Sequence, residues 1–408
     1  MKRLDDICIK LPGVVIPILI VMSIITTNSA LGYQLGATFV EILILLIGSL
    51  VTIKVMGNKR ILNAYLKCLI PLMIVTIIEI IIYKQTIFLW LRVVALLGIF
   101  IGVNLYAETY QIDIVRVFYY CLLIYIIADL LLYAMSSINF FNLPYKIFTK
   151  SWLPEYRNYY FLLYNRTDLL ECAFGPFHII RNEGIFTEPG VFAMLLDIEL
   201  LIYYFSSFKK KKWHLWMILV CLLTTISTTG LMIAILICGF EQFANRKINS
   251  NFTKVVVFVG ALLIGVIVSL WLLGQKLEHA KASFDWRMID WKDGFYLFLK
   301  RPLTGWGYRN FEVYEMLLME KYNYARGNSN AISSVLYQMG IVGALIYICP
   351  VFKLIFSQSK NEKRKICFIF ITFFLILMSQ PILDSSIFLL ITGGLYFKAF
   401  LKKYFVRE

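Results

Sequence analysis

Long apolar runs, separated by short and often basic breaks, recur from one end of the chain to the other. A helix of about 20 apolar residues covers a hydrocarbon core of about 30 Å. On that measure the pattern predicts spans over 12–31, 35–55, 61–83, 86–105, 114–135, 185–205, 213–227, 228–243, 255–274, 330–356, 366–380 and 383–399. The run Val14–Ile25 follows a basic start with no small-residue cleavage pattern, so it reads as a first span and not as a cleaved signal. Trp213–Phe243 is the unusual stretch, because its 31 residues are short for two crossings. A polar break at Thr224–Gly230 sits at its midpoint and predicts two short helices, or a re-entrant hairpin shielded from lipid by protein.

Lys and Arg then orient the spans, since basic residues concentrate on the cytoplasmic side. With twelve spans, Lys2, Arg3 and Lys10, then Lys54, Lys59 and Arg60, then Lys209–Lys212 all fall on one side. So do Arg246, Lys247 and Lys254, then Lys360, Lys363, Arg364 and Lys365, then Lys398, Lys402, Lys403 and Arg407. The short loops opposite carry only Lys84. The expected fold is therefore an all-α polytopic integral membrane protein, one membrane domain over 1–408 with about 12 transmembrane helices and both termini cytoplasmic. Two large extracytoplasmic loops follow from this, 136–184 and 275–329, and loops on a rigid scaffold commonly carry function. Aromatic residues within Ser151–Tyr164 read first as an interfacial anchor.

Composition agrees with lipid as the solvent: 60% of residues are hydrophobic and 16% charged, where a soluble domain has about a quarter charged. A net charge of +15 would suggest nucleic acid in a soluble protein; here the charge lies at span ends, and no nucleic-acid partner is expected. Of eight cysteines only Cys172 falls in an outer loop, which argues against a disulfide framework.

Ionisable residues inside lipid are costly and mark sites of interest. The early spans contain Glu41, Lys67, Glu79, Arg92, Asp129, Asp197 and Glu199, of which Glu41, Glu79, Arg92 and Asp129 fall in the outer half. Glu79 and Arg92 flank the turn at Lys84 and are a candidate pair. The sharpest stretch runs from Arg181 to Gly190, entering the sixth span. Thr187 ahead of Glu188–Pro189 predicts a capped helix start, whose amides and dipole suit a phosphate. Arg181 suits bidentate phosphate contact, and Glu183 or Glu188 is a candidate proton acceptor for a sugar hydroxyl. An ordinary capped helix with surface charge explains the same residues equally well. In the second outer loop, Arg287 and Arg326 stand out among the cations, Trp291 lies on the same stretch as Arg287, and Pro302, Gly305 and Gly307 predict a tight turn.

Three stretches together resemble the O-antigen polymerase and ligase superfamily of bacterial surface-polysaccharide assembly. They are Arg181 with Gly184-Ile185-Phe186-Thr187-Glu188-Pro189-Gly190, Arg287 with Trp291 and Pro302-Leu303-Thr304-Gly305-Trp306-Gly307, and Ser329-Asn330 with Gly340-Ile341-Val342-Gly343. The resemblance implies a helical fold related to the GT-C-type glycosyltransferases, in the bacterial inner (cytoplasmic) membrane. It implies transfer of a glycan from an undecaprenyl-diphosphate-linked oligosaccharide, with no metal requirement and no cofactor, for O-antigen or capsular polysaccharide. A chain-length regulator and a flippase are the implied partners besides the bilayer. Ligases of the superfamily usually carry a His-Asn pair where this chain has Ser329-Asn330, and His178, His214 and His279 do not replace it. A repeat-unit polymerase is thus the favoured expectation, with a lipid-linked oligosaccharide flippase and an O-antigen ligase as alternatives. Arg181, Arg287, Glu188 and Glu183 are the expected catalytic residues, and Arg326, Asn330, Trp291 and Arg92 the expected substrate-binding ones.

Overall fold

A computed structural model describes residues 2–83, 87–137, 158–160, 164–166, 171–174, 177–245, 279–357, 359–380, 382 and 384–404. Its helices are α1 (Lys2–Ile25), α2 (Ala30–Leu35), α3 (Ala37–Val55), α4 (Lys59–Tyr83), α5 (Ile87–Thr109), α6 (Ile114–Ser137), α7 (Pro189–Phe205), α8 (Lys212–Thr225) and α9 (Thr228–Asn245). After these come α10 (His279–Lys300), α11 (Glu312–Tyr322), α12 (Ala331–Ser357), α13 (Lys360–Leu377) and α14 (Ser386–Tyr396). Two antiparallel hairpins, β1 (Asn158–Tyr160) with β2 (Tyr164–Arg166) and β3 (Glu171–Phe174) with β4 (Phe177–Ile180), lie in the stretch read from sequence as loop.

Among the described residues, five helices are long and apolar enough to cross a membrane: Ala37–Val55, Lys59–Tyr83, Leu91–Thr109, Ile114–Ser137 and Ala331–Ser357. Most of α4 is apolar all round, and Ile70, Ile74, Ile77 and Ile81 are exposed, as for a helix whose outer face meets lipid and not water. The span expected at 255–274, together with Lys84, Arg246, Lys247, Lys254 and Arg407, lies outside the described residues.

The chain divides into two compact units. The first comprises Met1–Thr27, Gly36–Val117 and Trp286–Glu408. Its core forms where α3 and α14 pack on α5. Small residues let these backbones approach: a Cβ on Gly102 would lie 2.2 Å from the Thr52 hydroxyl of α3. The second comprises Asn28–Leu35 and Phe118–Asp285, and there α7 packs on α8 and α9. Helix α7 is buried almost all round, from Pro189 to Leu201.

Several sequence expectations shift in detail. The helix at the first expected span ends at Ile25, and α2 starts afresh at Ala30 after Asn28 adopts a positive φ of 51°. Trp213–Phe243 is two short helices, broken where Ile226 takes a left-handed conformation. The segment 279–329 is largely helical, because its apolar residues recur at helical spacing without the unbroken run that marks a span. Helix α12 is interrupted at Gly340, with φ 62° and ψ −164°, values that a side chain would strain.

Candidate functional site

In the second unit the stretch before α7 is held by a dense set of hydrogen bonds. Asn182 Nδ2 donates to Asp129 Oδ2 at 2.7 Å and to Thr224 Oγ1 at 3.0 Å, and its backbone N–H donates to Thr224 O at 2.9 Å. Its Oδ1 in turn accepts from Gly184 N–H at 2.9 Å, closing an Asx turn. Gly184 is required there: φ is 59°, and a Cβ would sit 2.3 Å from the Tyr125 hydroxyl, which accepts from Ile185 N–H at 2.7 Å. Arg181 Nε donates to Thr225 O at 3.1 Å, placing a cation at the carbonyl end of α8, where the helix dipole favours it.

The cap of α7 differs from expectation. Glu188, extended at φ −147° and ψ 135°, is the N-cap and Pro189 follows at the first helical position. Thr187 does not cap the helix; its hydroxyl donates to Asn28 Oδ1 at 3.1 Å, within a bridge pairing Ser29 with Phe186. Glu188 is exposed while Glu183 is fully buried, so only Glu188 presents its carboxylate at the surface.

In the first unit, Asp290 of α10 is a hub that sequence reasoning missed. It is fully buried. Its Oδ1 accepts from Arg326 Nη2 at 2.6 Å and from the Tyr314 hydroxyl at 2.5 Å. Its Oδ2 accepts from Ser329 N–H at 2.9 Å and from the Ser329 hydroxyl. The Asp290 carbonyl accepts from Asn328 Nδ2 at 3.2 Å, and Asn328 Oδ1 accepts from Asn330 N–H at 2.7 Å. Arg326 also stacks over Trp286, 4.6 Å from the ring centroid. Burial, followed by the bond to Asp290, pushes the Tyr314 phenol well above its ordinary pKa and keeps it a donor. The signal available in sequence was periodic: Asp290, Asp293, Gly294 and Leu297 share one face of α10, and all are buried. Arg287, Trp291 and Phe295 follow at spacings of four, and Trp291 stacks on Phe295 with centroids 6.1 Å apart.

The turn after α10 docks on the break in α12. Trp306 and Gly307 donate to the carbonyls of Tyr337 and Gln338, both at 2.8 Å, while Ile341 and Val342 donate to those of Pro302 and Leu303 at 2.9 and 3.1 Å. Backbone groups left without helical partners at Gly340 are thereby satisfied. Tyr83, at the end of α4, donates to Gly305 O at 2.5 Å from the other side.

Arg92 belongs to another ionic network of the first unit. It does not pair with Glu79, as the flanking positions suggested, because a bidentate partner is available on α3: Arg92 Nε and Nη2 donate to the Glu41 carboxylate at 2.8 and 2.5 Å. Asp384 Oδ2 joins from the other side, 3.6 Å from Arg92 Nη1 and 3.4 Å from Arg309 Nε, and it accepts from the Tyr308 hydroxyl at 3.2 Å. Burial and the Asp384 charge raise the Tyr308 pKa. Asp384 and Tyr308 were not singled out from sequence; they come from segments far apart along the chain.

The expected site residues therefore fall in two groups. Arg181, Glu183 and Glu188 stand in the second unit, and Arg92, Arg287, Trp291, Arg326 and Asn330 in the first. Arg326 and Asn330 share the Asp290 hub. Residues 200–348 match the family model of the O-antigen ligases. The match runs from within α7 to α12, less than half of the chain, and takes in Arg287, Asp290, Trp291, Arg326, Asn330 and the Pro302–Gly307 turn. Over this region the chain is similar to the glycosyltransferase-like enzymes of the O-antigen ligase and polymerase superfamily, in keeping with a multi-pass α-helical membrane protein. No curated protein and no solved structure matches.

Proposed function

We propose that the protein is a repeat-unit polymerase, a glycosyltransferase that joins undecaprenyl-diphosphate-linked oligosaccharides on the extracytoplasmic side of the bacterial inner membrane. The observation that supports the part of this reading common to polymerases and ligases is the O-antigen ligase family match over 200–348, which coincides with the segment organised around Asp290. The twelve-span topology, with 136–184 and 275–329 outside, is part of the same proposal.

In this reading Arg181 and Arg287 bind the diphosphate of the growing chain, joined by Arg326, and Asn330, Trp291 and Arg92 contribute to substrate binding. A hydroxyl of the incoming unit attacks the anomeric carbon, its C–O bond forms as the bond to the diphosphate breaks, and the carrier leaves as undecaprenyl diphosphate. Cations held against the departing diphosphate offset the negative charge it gains and lower the barrier by a few kcal/mol for each well-placed donor. The hydroxyl proton passes to a carboxylate. Of the two candidates Glu188 is favoured, since it is exposed at the head of α7 and Glu183 is enclosed.

Polymerase is preferred to ligase because Ser329 stands where ligases of the superfamily usually carry His, and its hydroxyl is engaged by Asp290. Ligation is the second reading, favoured by the description of the matching family itself. A deletion strain separates them: single-unit capping signifies lost polymerisation, and long carrier-linked chains that never reach their acceptor signify lost ligation. Arg181→Ala and Arg287→Ala, each at normal protein level, should abolish the polysaccharide ladder; wild-type ladders from both would remove the proposed site.

A further inference from the structure

From Trp286 onward, α10 carries two opposed faces. At 100° per residue Asp290, Asp293, Gly294 and Leu297 share the buried side, whereas Met288, Lys292, Phe295 and Leu299 share the other and are exposed. Met288 is 55% exposed and Leu299 60%, and Leu303, just past the helix, is 66% exposed. Among the described residues nothing covers this stripe.

Two observations say what does. The first is continuity with a spanning helix. The carbonyls of Pro302 and Leu303 accept from Ile341 and Val342, so Leu303 lies beside Ile341 of α12, itself 45% exposed. Helix α12 is long and apolar enough to cross a membrane, and its exposed Leu345 and Phe352 continue that surface away from α10. The apolar face of α10 is therefore an extension of a lipid-facing one. The second is charge. Both carboxylates of this part of α10, Asp290 and Asp293, point inward, while Lys292, Lys300 and Arg301 are exposed. Lys300 lies 4.5 Å from the centroid of Tyr296, and Arg301 4.1 Å from that of Trp306. Long cations laid over aromatic rings at the edge of an apolar stripe are suited to the headgroup layer, where the stem stays dry and the charge meets phosphate.

We infer that α10, through Leu303, is seated as an amphipathic helix in the membrane–water interface, its partner an anionic lipid leaflet. Met288, Phe295, Leu299 and Leu303 enter the acyl boundary, and Lys292, Lys300 and Arg301 pair with lipid phosphates. The segment that hydropathy marks as a solvated loop is then a part of the membrane-bound body. This inference is independent of the proposed reaction, although it brings Arg287 and Trp291, on the flank of the same helix, to the depth of lipid phosphates.

The full-length protein, reconstituted in phosphatidylcholine vesicles with or without phosphatidylglycerol, is photolysed with a diazirine lipid whose reactive group is on the acyl chain. Mass spectrometry should find label within Met288–Leu303 as well as on the exposed face of α4, with more label on α10 when phosphatidylglycerol is present. Label on α4 and none on α10 would overturn the inference, and equal labelling in both vesicles would overturn its anionic part. A nitroxide at Leu299, placed by Leu299→Cys in a background lacking the native cysteines, should collide more with oxygen than with a water-soluble nickel chelate. The same probe at Gly327, where a side chain meets open space, should show the reverse. Nickel access at Leu299, spin–spin broadening between copies, or protection by added oligosaccharide instead of lipid would each defeat it.

Discussion

Arg326 Nη2 lies 2.6 Å from Asp290 Oδ1, and the Asp290 carboxylate is fully enclosed. Taking one partner from a buried ion pair strands the other charge, at about 3–5 kcal/mol. Asp290→Ala and Arg326→Ala are each expected to destabilise the protein on that scale. The loss in Asp290→Ala should be the greater, because Tyr314 and Ser329 lose an acceptor with it. Thermal unfolding of the purified variants in detergent checks this; a double variant no worse than Asp290→Ala would confirm that the two residues act as a unit.

Gly340 is the position where helix α12 yields to the Pro302–Gly307 turn. A Cβ there would lie 2.3 Å from Leu303 O, at a φ of 62°. Gly340→Ala therefore combines backbone strain of about 1–3 kcal/mol with a clash against backbone that has nowhere to go. The expected outcome is little folded protein in the membrane fraction. Gly327→Ala, which meets nothing within 4 Å, should accumulate like wild type.

Asn182 and Asp129 form a buried donor–acceptor pair at 2.7 Å. Asn182→Asp would face one carboxyl with another and withdraw the two donors of the amide, so protein level should fall sharply. Exchanging the two residues, Asn182→Asp with Asp129→Asn, restores one donor and one acceptor and should recover part of the loss. Absence of any recovery would show that the surrounding bonds to Thr224 and Gly184 dominate.

Lys321 donates to Asp293 at 2.5 Å. Burial disfavours its charge, but the hydrogen bond and attraction of Asp293 outweigh this and leave its pKa raised above 10.5. A raised folded pKa means that the stabilisation is fully present below the ordinary lysine value and is lost as pH climbs through the folded one. The stability gap between wild type and Lys321→Met should thus stay constant from neutral pH upward, then narrow only in strongly alkaline buffer. Because Lys321 is partly exposed, solvent screens its charge and this narrowing should be small, under about 1 kcal/mol.

Much of the fold was legible as pattern. Spans such as 35–55, 61–83 and 114–135 correspond to α3, α4 and α6 within a few residues, since an apolar run long enough for lipid has few alternatives to a helix. The split of Trp213–Phe243 was legible too, from its polar midpoint. Helices α10 and α11 were not. Their apolar residues are interspersed with charged ones, and mean hydropathy over such a stretch resembles that of a loop.

The candidate site was legible as a set of residues and not as an arrangement. Arg181 stood out as a cation just ahead of a helix start suited to phosphate, and Arg287 and Arg326 as cations in a loop expected on the outer side. The carboxylates that hold such cations did not stand out. Asp290 serves Arg326 from 36 positions away, and Asp384 faces Arg92 and Arg309 across still longer separations.

Sequence by itself determined that this chain is built from apolar helices, where most of them begin and end, and which superfamily it resembles, because these depend on local composition and spacing. Tertiary structure alone decided that Glu41 and not Glu79 takes Arg92, that Thr187 turns to Asn28 and leaves the cap to Glu188, and that Asp290 gathers Tyr314, Arg326 and Ser329. A buried charge takes whichever partner packing brings within reach, and reach is set by the meeting of helices that are distant in the chain.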